Sequence, residues 1–338
     1  MKTFIIAELS ANHNHKKDIA LKTIEAAKNA GADAVKIQTY TADTITLDCD
    51  NEYFQINQGT LWDGTTLYKL YQQAYTPWEW HKELFDYAAE LGIPLFSTPF
   101  DKTAVDFLET LNNPIYKIAS FEITDIPLIE YTASKHKPMI ISTGIAILRE
   151  IEEAVSACKK TGNNDITLLK CTSSYPAPLK EANLLTIPDM ITKFNCKVGL
   201  SDHTLGDVCA CAAVTLGARV VEKHFIIDRS IGGPDSAFSM NEKEFAAMVK
   251  RIRETEECLG RASYELSELS KKSRKFARSL FAVKDIKRGE IFTEENIRSI
   301  RPGNGCSPKY LPELLGKKSD RDYKRGEPIN NEQKGVSF

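Results

Sequence analysis

Eight short β-rich runs alternate with segments of helical period over the first 260 residues, and this alternation is what most constrains the fold. The runs are "TFIIAE" (3–8), "DAVKIQ" (33–38), "IPLFST" (93–98), "IYKIAS" (115–120), "PMIIST" (138–143), "ITLLKC" (166–171), "CKVGLS" (196–201) and "ARVVEKHF" (218–225). Between them, "DIALKTIEAAKNAG" (18–31) places Ile19, Ala20, Ile24 and Ala27 on one face and stops at Gly31. "PWEWHKELFDYAAELG" (77–92) opens on a proline and carries its own apolar stripe. Further helices are expected near 101–112 and 126–136 and over 149–162, with an eighth over 242–260. Strands alternating with helices imply a parallel sheet, and eight repeats are the count of a (β/α)8 TIM barrel. An open doubly wound sheet is the alternative, but no GxGxxG follows the first strand.

The barrel reading places a domain at 1–262. A polar, basic stretch at 263–278 reads as a linker. Residues 279–334, rich in short strands and Gly-centred turns, read as a small β-rich domain, followed by a frayed tail at 335–338. "DIKRGE" and "DYKRGE" within the small domain suggest weak internal symmetry.

Composition narrows the function classes. A net charge of −2 gives no electrostatic case for nucleic acid. No apolar run is long enough for a membrane span, and the N-terminal run is too short for a signal peptide. The eight cysteines include no CxxC, so reduced thiols and a cytoplasmic location are expected.

The C-terminal ends of barrel strands form the active face of such folds. Every run here ends in polar or ionisable residues. They are Glu8; Lys36 and Gln38; Ser97 and Thr98; Lys117, Ser120 and Glu122; Ser142 and Thr143; Lys170, Thr172, Ser173 and Tyr175; Ser201, Asp202 and His203; and Glu222, Lys223 and His224. Two histidines delivered by neighbouring strands, His203 and His224, suit a divalent metal and leave positions open for substrate. The lysines and serines, read as donors without carboxylates directly beside them, suit a phosphate or carboxylate. An alternative pairs the lysines with Glu8, Glu122 and Glu222 as a structural network. Lys117 is also a candidate for a Schiff base. Trp62, in the Gly- and Thr-rich "GTLWDGTTLY", is the tryptophan best placed to touch a ligand.

At these residues the chain resembles the sialic acid synthases, which condense phosphoenolpyruvate with an N-acylated sugar aldehyde. "IAELSANHN", "GADAVKIQ", "FSTPFD", "YKIASFE", "ISTG", "GLSDHT", "EKHF", "GGPDSAFSM" and "RPGNG" stand in order along nearly the whole chain. The resemblance implies a TIM barrel followed by an antifreeze-like (SAF) domain. Within the family the chain is most similar to the pseudaminic acid branch, on "NQGTLWDGTTLYKLYQQAYTPWEWH", "KIASFEITDIPLI" and "EKHFIIDR". The implied sugar is 2,4-diacetamido-2,4,6-trideoxy-L-altrose; the legionaminic precursor and N-acetylmannosamine are the alternatives. A noncatalytic sugar-binding protein is the reading outside the enzyme class.

The resemblance implies Mn2+, Mg2+ or possibly Co2+ on His203 and His224. It sets phosphoenolpyruvate near Lys36, Thr98, Lys117, Ser120, Ser142 and Ser201, with Tyr175 close by. Glu8, Gln38, Glu122 and Asp235 face the sugar, and Glu8 is expected to handle protons. A phosphate-contacting position that is often Asn in the neuraminate branch reads Ser173 here. Family members are domain-swapped homodimers, in which Arg301 of "RPGNG" would reach the neighbouring subunit's site and bind an N-acyl group. The family's products decorate bacterial surface glycans and flagellin.

Overall fold

The computed structural model describes residues 2–57 and 59–330; the expected tail at 335–338 lies outside them. The chain divides into two units, Met1–Gly260 and Arg261–Phe338.

The first unit is a closed parallel barrel of eight strands in sequential order. They are β1 (Phe4–Glu8), β2 (Ala34–Thr39), β3 (Leu95–Pro99), β4 (Tyr116–Ile118), β5 (Met139–Ser142), β6 (Ile166–Cys171), β7 (Lys197–Asp202) and β8 (Val220–His224). β1 pairs with both β2 and β8 and so closes the cylinder. The helices are α1 (Lys17–Asn29), α2 (Ala42–Ile45), α3 (Leu67–Ala74), α4 (Trp78–Leu91), α5 (Lys102–Thr110), α6 (Ile126–Ala133), α7 (Leu148–Lys160), α8 (Thr186–Phe194), α9 (Val208–Thr215) and α10 (Glu242–Leu259). The eight expected strands are all present, each within two residues of its expected ends. None of the helices among the described residues is long and apolar enough to cross a membrane.

Strand side chains alternate between the barrel interior and the helix layer. Ile6, Ala34, Phe96, Ile140, Leu169 and Val220 form one buried apolar cluster. Two larger clusters join the strands' other faces to the helices. Two residues further along β1, β2, β5 and β8 from that inner cluster stand Glu8, Lys36, Ser142 and Glu222. The interior thus changes from apolar to ionic within one period of the strand. Gly199 lies in this tight region: a Cβ there would stand 2.3 Å from the Val220 carbonyl oxygen. Only glycine lets β7 approach β8 that closely.

The connection from β2 to α4 is far longer than the other strand-to-helix turns. It holds α2, α3 and an antiparallel bridge between Gln55 and Thr66. Its helices escaped the periodicity argument because each is eight residues or shorter, too little for a repeat to register.

In the second unit, 263–278 is not featureless: α11 (Glu268–Ser273) forms there. Ser267 caps it by accepting from Ser270 N, with Glu268 in the first turn and Lys271 and Lys272 in the last, which suits the helix dipole. The small domain pairs β9 (Ser279–Ala282) with β10 (Ile297–Ile300), adds α12 (Leu311–Leu314), and packs Leu280, Ile286, Phe292, Ile297, Tyr323 and Ile329 into its own core. The two KRGE turns are related reciprocally. Asp285 accepts from Arg325 N, and Asp322 accepts from Arg288 N. Ile286 and Tyr323 form the bridge between them.

Candidate active site

The ionic centre inside the barrel mouth is built by register. β8 lies between β7 and β1, pairing Ser201 with Glu222 and Glu8 with His224. Glu222 Oε1 is the hub. It lies 3.3 Å from Lys117 Nζ and 3.7 Å from Lys36 Nζ, and it accepts from Ser201 Oγ at 3.2 Å. Lys36 Nζ also pairs with Glu8 Oε2 at 2.7 Å and donates to Thr98 Oγ1. Gln38 Nε2 donates to Glu8 Oε1 and to Ser10 Oγ. Glu8, Lys36, Lys117 and Glu222 are all buried.

This corrects the expectation that the lysines lack adjacent carboxylates. Both have partners, Glu8 and Glu222, while Glu122 is not among them. Burial works to raise the Glu222 carboxyl, but the Lys117 and Lys36 charges outweigh it and hold it below its usual range. Burial raises Glu8 against the pull of Lys36. Burial lowers Lys117, partly offset by Glu222. Two lysines and two carboxylates make a nearly neutral group in a dry cylinder, where each charge depends on its partner.

Parity along β7 and β8 sorts the remaining residues. Ser201, His203, Glu222 and His224 share the inner face. Asp202 and Lys223 point to the helix layer, where Lys223 Nζ bonds Asp202 Oδ2 at 2.7 Å and the carbonyls of Thr204 and Gly206. Those two charged strand ends are therefore structural.

A second cradle forms at the ends of β4, β5 and β6. Ser120, at the start of a 3-10 turn, accepts from Gly144 N at 3.1 Å. A Cβ on Gly144 would lie 2.1 Å from Ser173 Oγ and 2.8 Å from Ser120 Oγ. Glycine is thus required for the hydroxyls to converge. Ser142 Oγ, Glu122 Oε2, Glu222 Oε2 and His224 Nδ1 are buried without a hydrogen-bond partner. Buried polar atoms are seldom left so, and their concentration at one mouth marks a place where a polar ligand completes the bonding. Burial pushes the Glu122 carboxyl up to about 7.

The two histidine rings lie 5.3 Å apart, centroid to centroid. His203 Nδ1 meets the Thr172 carbonyl at 3.0 Å, which requires a proton on Nδ1 and makes Nε2 the nitrogen that can bind; burial acts to lower this imidazole, but Cys171 outweighs it and raises it above its ordinary range. Burial, with His203 next, holds His224 well below its ordinary pKa and keeps it neutral. Asp235 Oδ2 stands 3.8 Å from His224 Nδ1, and burial raises its carboxyl. No third His, Cys, Asp or Glu completes a ligand group with them among the described residues. His224, neutral and with Nδ1 unpartnered, and His203, once Nε2 gives up its proton to the ion, fit a divalent ion in an open site, with the other positions left to water or substrate.

Aromatic rings extend outward from the histidines. Tyr175 packs 4.3 Å from His203, and Phe238 packs 5.1 Å from Tyr175 and 4.9 Å from His224. Trp62, from the long β2–α4 connection, packs 5.6 Å from Tyr175. Arg301 is exposed on the second unit.

Sequence reasoning left Cys171, Ser10 and Phe238 out of the site and gave Glu222 only as a strand end or a structural partner of the lysines. Glu222 was visible by its parity with His224, and Phe238 lies inside "GGPDSAFSM". Cys171 carried no signal; its thiol lies 3.8 Å from His203 Nδ1. Burial acts to raise that thiol, and His203 outweighs it and holds it at about 7.

The sequence matches the NeuB family over residues 23–264 and the SAF domain over 277–333. The chain belongs to the NeuB family. Among relatives of this NeuB chain, the pseudaminic acid synthase of Campylobacter jejuni subsp. jejuni serotype O:2 is 50% identical over 97% of this chain and 95% of its own. The pseudaminic acid synthase of Helicobacter pylori is 48% identical over 96% of each chain. The N,N'-diacetyllegionaminic acid synthase of the same Campylobacter jejuni serotype is 40% identical over 97% of this chain and 99% of its own. Among solved structures, N-acetylneuraminic acid synthetase from Leptospira borgpetersenii, in complex with citrate, matches with a TM-score of 0.72 and 32% identity. It covers 81% of this chain and 90% of that one.

Proposed function

We propose that this NeuB-family chain is a pseudaminic acid synthase. It condenses phosphoenolpyruvate with 2,4-diacetamido-2,4,6-trideoxy-L-altrose and water to give pseudaminic acid and phosphate. Identity carries the choice of branch: relatives with that name reach 50% and 48%, against 40% for a legionaminic acid synthase. The site supports the chemistry.

Lys36, Lys117, Ser120, Ser142 and Ser201 converge as donors inside the mouth, and Gly144 lets the hydroxyls close on an anion. Phosphoenolpyruvate lies there, with Thr98 steadying Lys36 and Ser173 flanking the cradle. C3 of phosphoenolpyruvate attacks the aldehyde carbon of the sugar, and the C3–C1 bond forms. Water then adds at C2, and phosphate leaves by cleavage of the C2–O bond. Glu8, its carboxyl raised by burial, exchanges the proton. Gln38 holds Glu8 in place, while Glu122 and Asp235 face the sugar beside Tyr175. A divalent ion held by His203 and His224, Mn2+ or Mg2+, would supply Lewis-acid polarisation of the aldehyde oxygen.

The deciding experiment is phosphate release by purified, metal-loaded enzyme given phosphoenolpyruvate with either the L-altrose diacetamide or N-acetylmannosamine. Turnover with the first alone is expected. Turnover with N-acetylmannosamine alone would overturn the branch while keeping the family.

A homodimer is part of the proposal. Phe121, Ile147, Leu179, Leu185 and Leu205 are exposed large apolar side chains on the turns after β4, β5, β6 and β7, and the exposed Val208 opens α9. Such a rim around a site suits a covering surface, and a partner's Arg301 would bind an N-acyl group under it. Arg301→Ala is expected to raise KM for the sugar about tenfold or more while KM for phosphoenolpyruvate stays within about twofold, the loss of one charged contact. A main effect on phosphoenolpyruvate would contradict this role. The described cysteines are all free thiols, which fits a cytoplasmic enzyme.

A further inference from the structure

A cavity of about 410 Å³ lies beside the barrel mouth, between the long β2–α4 connection and the loops after β1 and β8. Leu61, Trp62, Leu70 and Pro234 give it an apolar side, while the amides of Asn14 and Gln73, together with His15, Asp63 and Thr65, make the rest of its lining polar. Trp62 belongs both to this cavity and to the line of rings that runs through Tyr175 to His203.

The indole is fixed in place from two directions. Its Nε1–H donates to the Pro234 carbonyl at 3.1 Å, tying the β2–α4 connection to the loop after β8. The turn that carries it is held by Asp63, whose carboxylate accepts from Gly59 N, Thr60 N and Thr60 Oγ1. With that N–H committed to Pro234, the ring offers a ligand only its apolar surface. Leu61 and Leu70 have no polar side-chain atom to add. A hydroxyl pressed against this side would lose water without gaining a partner, whereas a methyl group would be buried at no such cost.

We infer that Trp62 is the specificity-determining residue for the sugar. The aldehyde end faces His203, His224 and the anion cradle, and the deoxygenated C6 end lies against the Trp62 indole in this cavity. This rests on the substrate assignment proposed above. The chemistry selected is a hexose derivative with an unsubstituted methyl terminus, and the amides of the cavity face its polar substituents.

The test uses the full-length, metal-loaded protein with saturating phosphoenolpyruvate. kcat/KM is measured for the 6-deoxy-L-altrose diacetamide and for its 6-hydroxy counterpart of the same configuration, in wild type, Trp62→Ala and Trp62→Phe. Wild type should prefer the 6-deoxy sugar by about 10–100-fold, the range a hydrophobic pocket achieves against an added hydroxyl. In Trp62→Ala that ratio should fall to near unity. KM for the 6-deoxy sugar should rise about tenfold while KM for phosphoenolpyruvate holds within about twofold, because the cradle is untouched. Trp62→Phe, which keeps an apolar ring and loses the bond to Pro234, should retain most of the preference. An unchanged ratio in Trp62→Ala, or a parallel rise in both KM values, would overturn this inference alone. Wild type that releases no phosphate with either altrose sugar would overturn the functional proposal and this inference with it.

Discussion

Lys117→Met is expected to abolish synthase activity and to destabilise the barrel, and the double variant with Glu222→Gln is expected to restore stability without restoring activity. Lys117 and Glu222 are buried, 3.3 Å apart. Removing one partner strands the other's charge in a dry interior, a loss of roughly 3–5 kcal/mol for buried pairs. Lys36, at 3.7 Å from the same oxygen, limits that loss. Neutralising Glu222 as well removes the stranded charge, so chemical denaturation should show most of the loss recovered. Catalysis behaves differently if the ammonium binds an anion: both variants should fall by about 10³-fold or more, the scale of removing a key charged donor. Recovery of activity together with stability would mean that the pair serves only the fold. Borohydride separates a further role. A lysine lowered by burial is also what imine formation requires. No mass adduct on Lys117 is expected after reduction in the presence of either substrate, and a trapped adduct would replace the condensation scheme with imine chemistry.

The same cluster shows how far the sequence could be read. That β7 and β8 each deliver a histidine was legible, because strand ends and their order follow from local alternation. The inner face was legible too: a period of two from His224 selects Glu222 and rejects Lys223. What eluded reading was pairing across strands. Whether Lys36 meets Glu8, Glu222 or Glu122 depends on which strands adjoin and by what stagger, and closure of β1 on β8 decides it. No local pattern encodes that closure. Gly144 was visible within "ISTG", but its necessity arises only where Ser120 and Ser173 arrive from other strands. Trp62 was visible as a loop aromatic, while the carbonyl that holds it comes from Pro234, 172 residues away.

His203→Ala carries the other large expected effect, and it separates a ligand from a packing residue. His203 is buried, but among the described residues its Nδ1 meets only the Thr172 carbonyl and the Cys171 sulfur. Losing the ring leaves one carbonyl without its donor, a cost of about 1–3 kcal/mol, which a barrel of eight fully paired strands survives. Circular dichroism and denaturation should therefore report a folded protein. Calorimetric titration of the metal-stripped chain with Mn2+ should show binding to wild type and none, or binding at least about 100-fold weaker, to the variant. Removing one of only two imidazoles leaves too few protein donors to hold the ion. Phosphate release should fall about 10³-fold or more, the several kcal/mol that Lewis-acid assistance contributes. Near-normal turnover by the variant in chelator-treated buffer would refute the metal assignment. Retained Mn2+ binding with lost turnover would instead place His203 in proton handling, with the thiol of Cys171 as its neighbour. The calorimetric arm needs no substrate, so it decides the ligand question even if the choice of sugar is wrong.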